Sequence, residues 1–473
     1  MWDIICQFSL LQFPLRTLPV QMMTLPQEFV KRMKTQLQDE ADAFFTSLEQ
    51  PSPTSVRLHH LKGKSSFDLS EKVPWCADGY YLESRPFFHL DPHWHGGAYY
   101  VQEASSMILD HVLTQLNLEK KSRTWLDLCA APGGKTGILA RHLGISDVLI
   151  ANEVVGQRRS ILKENLTKAG YLNTFITGEP SSAFNEPFAD VILIDAPCAG
   201  EGMMRKEPEA IRQWTPSLVD SCSVMQRQIV RDAALALKKD GYLIYSTCSY
   251  SMDENIQNIA YFINEHNLEP VSIPFPKEWG IAHIAEGEAT GYQLYPHKVK
   301  GEGLFIAVMK RTVEQEKHVH KKNRKPNQSF EPVTSLVKEK MNNVQTYLLR
   351  KNSASFEVIT SEALEKANEV MMHLPRASLV VDAGELKGKD FIPSHAMAMS
   401  DIQSTDYEII DLDLTQALDY LERSTNSLPS GKAQGWYLVR YDTTVLGWVK
   451  STQQGLKNHY PMNWRLRDRK VKS

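Results

Sequence analysis

From residue 124 onward, short apolar runs alternate with amphipathic stretches, a pattern that predicts parallel strands joined by crossover helices. The runs place strands at 124–129, 147–153, 173–177, 189–195 and 241–247. Helical spacing fills 135–143, 157–169 and 219–239, and a further helix over 253–266 follows the last strand. Five such units make a doubly wound α/β sheet over 117–311, in which ligands meet the chain just beyond the carboxyl ends of the strands. Ahead of it, a helical stretch near 27–48, a break at Pro51 and Pro53, and short aromatic-rich segments predict a small α+β domain over 24–116. A basic linker over 312–332 leads to a C-terminal α+β region, 333–473, and no internal repeat is found.

Composition narrows the classes. A chain of 473 residues, 42% of them hydrophobic, suits about three domains with real cores. With 53 Lys and Arg against 56 Asp and Glu, the net charge of -3 draws no polyanion globally, so a nucleic-acid surface has to be a local patch. Two patches are candidates. The linker carries Lys317, Lys321, Lys322, Arg324 and Lys325, and reads equally as a phosphate strap or a solvated connection. The tail carries Lys457, Arg465, Arg467, Arg469, Lys470 and Lys472 among Tyr460 and Trp464, a mixture that fits RNA.

Cys6, Cys76, Cys129, Cys198, Cys222 and Cys248 form no C-x-x-C pair, which argues against a disulfide scaffold or a zinc site and suits a reducing cytosol. No apolar run reaches the roughly 18 residues of a membrane helix. The first 23 residues resemble a secretory leader only superficially, because Asp3 stands in the basic region and Pro14, Arg16 and Pro19 break the apolar stretch. They read as an unstructured extension, with Met22 or Met23 as alternative starts.

The strand-end motifs carry the chemistry. The first strand runs into DLCAAPGGKT, residues 127–136, where two glycines between a strand and a helix let backbone approach a ligand closely. Gly134, Lys135 and Thr136 also suggest a phosphate-binding NTPase loop. That rival needs a glycine where Cys129 stands, and Pro132 stiffens a loop that should wrap phosphates. Glu153, at the end of the second strand, is placed to accept hydrogen bonds from a ribose diol, which favours a nucleoside-bearing cofactor. Glu179, after the third strand, is a weaker candidate for an adenine amino group.

The fourth strand ends in DAPCAGEGMMRKEP and the fifth in STCSYSMDEN, which puts Cys198 and Cys248 beside Asp195 on one crevice. An isolated buried cysteine is usually an inert hydrophobe; two at ligand-binding strand ends point to nucleophilic chemistry. Cys129 reads as structural, its backbone lining the cofactor. Carbon 5 of a pyrimidine takes a methyl group only after a thiolate adds at carbon 6, with an acid near N3 promoting that addition. The second thiol then has a task in product release.

These residues resemble the Nol, Nop and Sun RNA cytosine methyltransferases, which use S-adenosylmethionine. The A-P-G-G-K-T loop, the D-A-P-C-x-G-x-G turn and the T-C-S turn all occur in order. Within that family, LPQEFVKRM, YYVQEASSM, YPHKVKGEG and LKNHYP are similar to the RsmF-type group that methylates 16S ribosomal RNA. The resemblance implies that Cys248 is the covalent nucleophile, that Cys198 assists release and that Asp195 contacts the cytosine, which is flipped into the crevice. It implies that Cys129, Ala130, Ala131, Pro132, Gly133, Gly134, Lys135, Glu153 and Glu179 hold the cofactor, with Asp195 bordering it. It further implies a Rossmann-like catalytic domain between an N-terminal RNA-contacting domain and a C-terminal region ending in a PUA-like domain. The expected enzyme is a cytoplasmic monomer acting on ribosomal RNA or the small subunit, with no metal.

Three positions depart from the family pattern: Ala199 replaces Ser or Thr, Glu179 replaces Asp, and His59 replaces Asn at an RNA or interdomain contact. Arg205 and Lys206, beside Gly200 and Gly202, are expected to meet an RNA phosphate or the active-site loop, and Arg57 is a candidate RNA contact. His297 reads equally as a site or a structural histidine. Trp75, Tyr80, Tyr81, Phe87, Phe88 and Trp94 read as core rather than as a base-stacking platform. Two rivals stand beside this reading: an amino-group RNA methyltransferase, which needs no Cys248, and a non-catalytic RNA-binding assembly factor.

Overall fold

The computed structural model describes residues 24–118, 121–314, 329–333, 335–353, 355–388, 390–429, 432–467 and 469. The expected extension over 1–23, the linker cations Lys317, Lys321, Lys322, Arg324 and Lys325, and the tail's Lys470 and Lys472 lie outside the described residues.

The chain opens with α1 (Gln27–Leu37) and α2 (Ala41–Leu48). Their apolar positions Phe29, Met33 and Phe44 recur at helical spacing and bury fully, but against Trp214, Tyr250 and Tyr295 of the sheet domain that follows. A small antiparallel sheet has β1 (Thr54–Leu58) at its centre, flanked by β2 (Gly79–Leu82) and β3 (Tyr99–Val101). Between β2 and β3 lies α3 (Pro92–His95), capped by the Asp91 side chain, and α4 (Ile108–Leu116) leads into the central domain.

The central domain runs β4 (Thr124–Asp127), α5 (Gly134–Arg141), β5 (Val148–Asn152), α6 (Gly156–Ala169), β6 (Thr174–Thr177) and β7 (Ala189–Asp195). It continues with α7 (Pro216–Ala236), β8 (Leu237–Thr247) and α8 (Ile256–His266). These strands lie parallel in the order β8, β7, β4, β5, β6, so the winding reverses between β4 and β7 and a crevice opens there. Every residue of β4, β5 and β6 is buried, which is why they read as unbroken apolar runs.

Two of the boundaries that differ from the sequence expectation bear on the sheet and the site. The helix expected through 239 stops at Ala236, because Leu237 turns extended and pairs with Ala189. Lys238 and Lys239 then lead into a bulge at Asp240, whose φ of 62 shifts the register so that Val191 pairs with Tyr242. The last helix starts at Ile256 rather than 253, because 251–255 form the turn beyond Cys248. The sheet is also mixed. β9 (Leu268–Pro270), β10 (Ala282–Glu286), β11 (Ala289–Leu294) and β12 (Leu304–Arg311) extend it antiparallel beyond β8, and Ser378–Leu379 from the C-terminal region pairs with β6 at the other edge.

Beyond residue 329 the chain forms a five-stranded antiparallel sheet and then a four-stranded sheet of Ile409–Leu412, Gly435–Tyr441, Thr444–Thr452 and Gly455–Asn458. That last domain docks on α3: His93 Nδ1 meets Thr444 Oγ1 at 2.7 Å and His95 Nδ1 meets Tyr460 Oη at 3.1 Å. Lys62 donates to the carbonyls of Lys168 and Met399, at 2.7 and 2.8 Å, and so joins three regions. Tyr460 is therefore fully buried rather than an exposed aromatic, and Trp464 packs on His395 and over the Lys168 ammonium. Among the described residues no helix is long and apolar enough to cross a membrane.

Candidate active site

The glycine loop closes on its own strand. Asp127 ends β4, and its Oδ2 accepts the Thr136 hydroxyl from the first turn of α5 at 2.7 Å, while its buried Oδ1 has no hydrogen-bond partner. Burial pushes the Asp127 carboxyl up to about 7. Gly133 caps α5 at φ 112, a left-handed geometry that a side chain would strain. The Pro132 carbonyl accepts from Asn165 at 2.8 Å and the Ala131 carbonyl from Arg158 at 3.0 Å, so α6 holds the loop's outer side. The amide of Ala130 donates to Asn152, and half-buried Cys129 sits among Glu153, Asp127 and Asp195; burial first and then these carboxylates push its thiol well up.

Acids rim this end of the sheet. Glu153 is buried at the end of β5; its Oε1 accepts the Val155 amide at 2.9 Å and its Oε2 lies 3.4 Å from Arg158. The Glu179 carboxylate meets Arg376 of the C-terminal region at 3.1 Å, a partner that its sequence neighbourhood does not show. Lys135 Nζ lies 2.8 Å from Asp195 Oδ1. Burial opposes the Lys135 ammonium, but Asp195 and then Cys248 more than offset it and its pKa rises. With Lys135 tied to a carboxylate and three further acids around the loop, phosphate is disfavoured. A cationic sulfonium joined to a ribose diol fits this donor set.

The other wall carries the thiols. Cys198 follows β7 and Cys248 follows the adjacent β8, and their Sγ atoms lie 2.8 Å apart. The hydrogen bond to Cys248 and then burial raise the Cys198 thiol well above its usual range. Ser246 donates to Asp195 at 2.8 Å, tying the two strand ends together. Beneath the thiols lie two fully buried carboxylates that the sequence reading passed over, Glu201 and Glu254. Glu201 accepts from Arg32, Trp214 and the Tyr250 amide at 2.6, 2.7 and 2.8 Å. Burial and then Glu201 push Glu254 up to about 8. Both acids stood inside the quoted motifs, three and six residues after a cysteine; that spacing was the available signal.

The expected RNA contacts are corrected in part. Arg57 is 3% exposed and donates inward to Gln102 at 2.8 Å and to the Gly134 carbonyl at 3.3 Å, so it braces the glycine loop. Arg205 pairs with Glu302 at 2.8 Å, both side chains about 5% exposed or less, and also holds the Ser47 and Gly301 carbonyls. A guanidinium enclosed this way is spent on packing. Lys206 is half-buried in the same turn. His297 packs on Phe44 and Tyr295, the structural of its two readings. His59 caps its own turn and stacks on Tyr171, an interdomain contact.

Comparison with known proteins agrees with this arrangement. Residues 113–310 match the family described as 16S rRNA methyltransferase RsmB/F, 25–104 the N-terminal domain of 16S rRNA methyltransferase RsmF, and 407–466 the methyltransferase RsmF PUA domain. The three matches fall on the central domain, the N-terminal domain and the last domain of this chain. The central domain is a Rossmann-like methyltransferase domain and the C-terminal one is a PUA domain. The ribosomal RNA small subunit methyltransferase F of Shewanella sediminis is 29% identical over 473 residues, covering 93% of this chain and 96% of its own. The protein of the same name from Enterobacter sp. is 31% identical over 308 residues, covering 61% and 63%. Among solved structures, a methyltransferase homolog protein from Pyrococcus horikoshii superposes with a TM-score of 0.52 at 27% identity, covering 60% of this chain and 95% of that one.

Proposed function

We propose that the protein is a cytoplasmic RNA (cytosine-5)-methyltransferase that modifies 16S ribosomal RNA of the small subunit, with Cys248 as the covalent nucleophile. The observation that carries this reading is the pair of sulfurs 2.8 Å apart at the ends of adjacent strands, beside Asp195. An amino-group methyltransferase has no use for either thiol. The target class follows the names of the relatives and the matched PUA domain.

In this reading S-adenosylmethionine, held by the glycine loop, Glu153 and Glu179, supplies an electrophilic methyl group. Cys198 retains the shared proton, which leaves Cys248 as the sulfur that adds to carbon 6 of a flipped cytosine. The electron pair displaced from the 5,6 double bond moves toward N3, which takes a proton from the Lys135–Asp195 pair; carbon 5 then becomes the nucleophile. Once carbon 5 carries its methyl group, its proton leaves to water and the electron pair restores the 5,6 double bond as the carbon–sulfur bond to Cys248 breaks; the Cys198 thiol, 2.8 Å from the departing Cys248 sulfur, donates to the thiolate that forms. Lys135, 2.8 Å from Asp195, steadies the charge as the proton moves. Lys206 is the remaining candidate for a phosphate contact.

The test is bisulfite sequencing of ribosomal RNA from cells lacking the gene, complemented with wild type, Cys248→Ala or Cys198→Ala. One 16S cytosine should lose protection on deletion and stay unprotected with Cys248→Ala, while Cys198→Ala accumulates a covalent RNA adduct. An unchanged cytosine pattern sinks the carbon-5 reading.

A further inference from the structure

Both cysteine loops rest on a single carboxylate. Glu254 lies in the turn that enters α8 and is fully buried. Its Oε2 accepts the Ala199 amide, the residue after Cys198, at 3.0 Å, and Gln226 Nε2 at 2.8 Å. Its Oε1 accepts the hydroxyl of Ser249, the residue after Cys248, at 2.7 Å. Neighbouring groups repeat the pattern: Gln226 also donates to the Pro197 carbonyl at 2.9 Å, just before Cys198. Asn255 accepts from Thr247 at 2.6 Å and donates to the Ser249 carbonyl at 2.9 Å, on the two sides of Cys248. The Gly202 amide closes the arrangement on the Cys248 carbonyl at 2.7 Å.

We infer that Glu254 is a positioning residue for methyl transfer: one cysteine loop hangs from each of its oxygens, and this sets the separation of the two sulfurs. The inference rests on the two-thiol reading above. Among the described residues Glu254 makes no hydrogen bond to either sulfur, so it acts through both loops. Only a carboxyl group suits the place. Ala199 has no hydroxyl with which to tie its own turn, so the turn hangs from its amide, and three donors converge on the two oxygens. A glutamine there has one acceptor oxygen and turns an amide N–H at one of the two loops, releasing either the Cys198 side or the Cys248 side. Burial of the acid is tolerated because Gln226, Ser249 and the Ala199 amide satisfy it.

The test uses the full chain carrying Glu254→Gln, Ser249→Ala or Cys248→Ser, with small subunits from a strain lacking the gene as substrate and labelled S-adenosylmethionine as methyl donor. Glu254→Gln is expected to lower kcat about a hundredfold, the cost of a misplacement near 1 Å, with RNA KM and cofactor affinity within about twofold of wild type. Ser249→Ala, which releases one loop only, is expected to lose about tenfold in kcat. If Glu254→Gln misfolds, Ser249→Ala decides alone. Wild-type kcat in these variants overturns the inference, and so does a loss of cofactor affinity that matches the loss of kcat, because that marks a merely structural role. Cys248→Ser separates the two failures: retained methylation sinks the two-thiol reading, whereas its loss beside an unaffected Glu254→Gln sinks only the positioning role.

Discussion

Two loops face each other across the crevice, and each rests on a buried acid. The glycine loop rests on Asp127, whose partner Thr136 is 9 residues away, and one of its oxygens stays without a hydrogen-bond partner. The cysteine loops rest on Glu254, which spans 55 residues to Ala199 and has both oxygens occupied. A loop proposed to bind one cofactor can be built from one contiguous stretch. Two sulfurs that act together in the proposed mechanism come from separate strands and need a common anchor, which only tertiary packing supplies.

The comparison can be broken most sharply by removing a support. Glu254→Ala leaves the Ala199 amide, Gln226 and Ser249 unsatisfied in the interior, and should destabilise the central domain by about 3 to 5 kcal/mol in denaturant unfolding. Asp127→Ala frees a single hydroxyl and should cost about 1 to 2 kcal/mol. Equal losses would show that the two supports do not differ as described.

Arg57→Ala sharpens the glycine side. It removes the brace on the Gly134 carbonyl and should weaken cofactor binding about tenfold, measured by calorimetry, while the salt dependence of RNA binding stays unchanged. A shallower salt slope would restore Arg57 as a phosphate contact.

Proton linkage gives a gentler probe of the same pair. Folding raises Asp127 from 3.8 to about 7 and Glu254 from 4.5 to about 8, in both cases first through burial. The folded chain therefore holds more protons than the unfolded chain across this window. The stability these groups contribute is full below about pH 4 and is lost as pH rises through 7 and 8. The melting temperature of the central domain should fall between pH 6 and 8.5, and Asp127→Asn or Glu254→Gln should each flatten that fall. A flat wild-type profile would count against both shifts. The smallest expected effect lies far from the crevice: Tyr460→Phe removes the bond to His95 and should cost about 1 kcal/mol, with methylation retained.

What could be read in advance followed from how each feature is encoded. The parallel strands announced themselves because burial on both faces demands unbroken apolar runs, and Cys198, Cys248 and Asp195 stood out because they directly follow such runs. The overrun of the helix to 239 has an equally plain cause: Lys238 and Lys239 look alike on a helix or an edge, and only the pairing of Leu237 with Ala189 decides between them. Arg205 misled because a cation beside a flexible turn looks the same in sequence whether it faces solvent or Glu302, and Arg57 because a cation within a short strand does not show in sequence that its face is covered. Tyr460 misled likewise, since its basic neighbours gave no sign that α3 would cover it.

The sequence by itself determined the doubly wound sheet, the glycine loop and the identity of the groups at the strand ends, because each is local and period or spacing records it. The tertiary structure alone decided which charges remain outside, which histidines and lysines are interior fasteners, and that one carboxylate spans both cysteine loops. Those outcomes depend on the desolvation and pairing of residues far apart in the chain, and the chain brings such residues together only by folding.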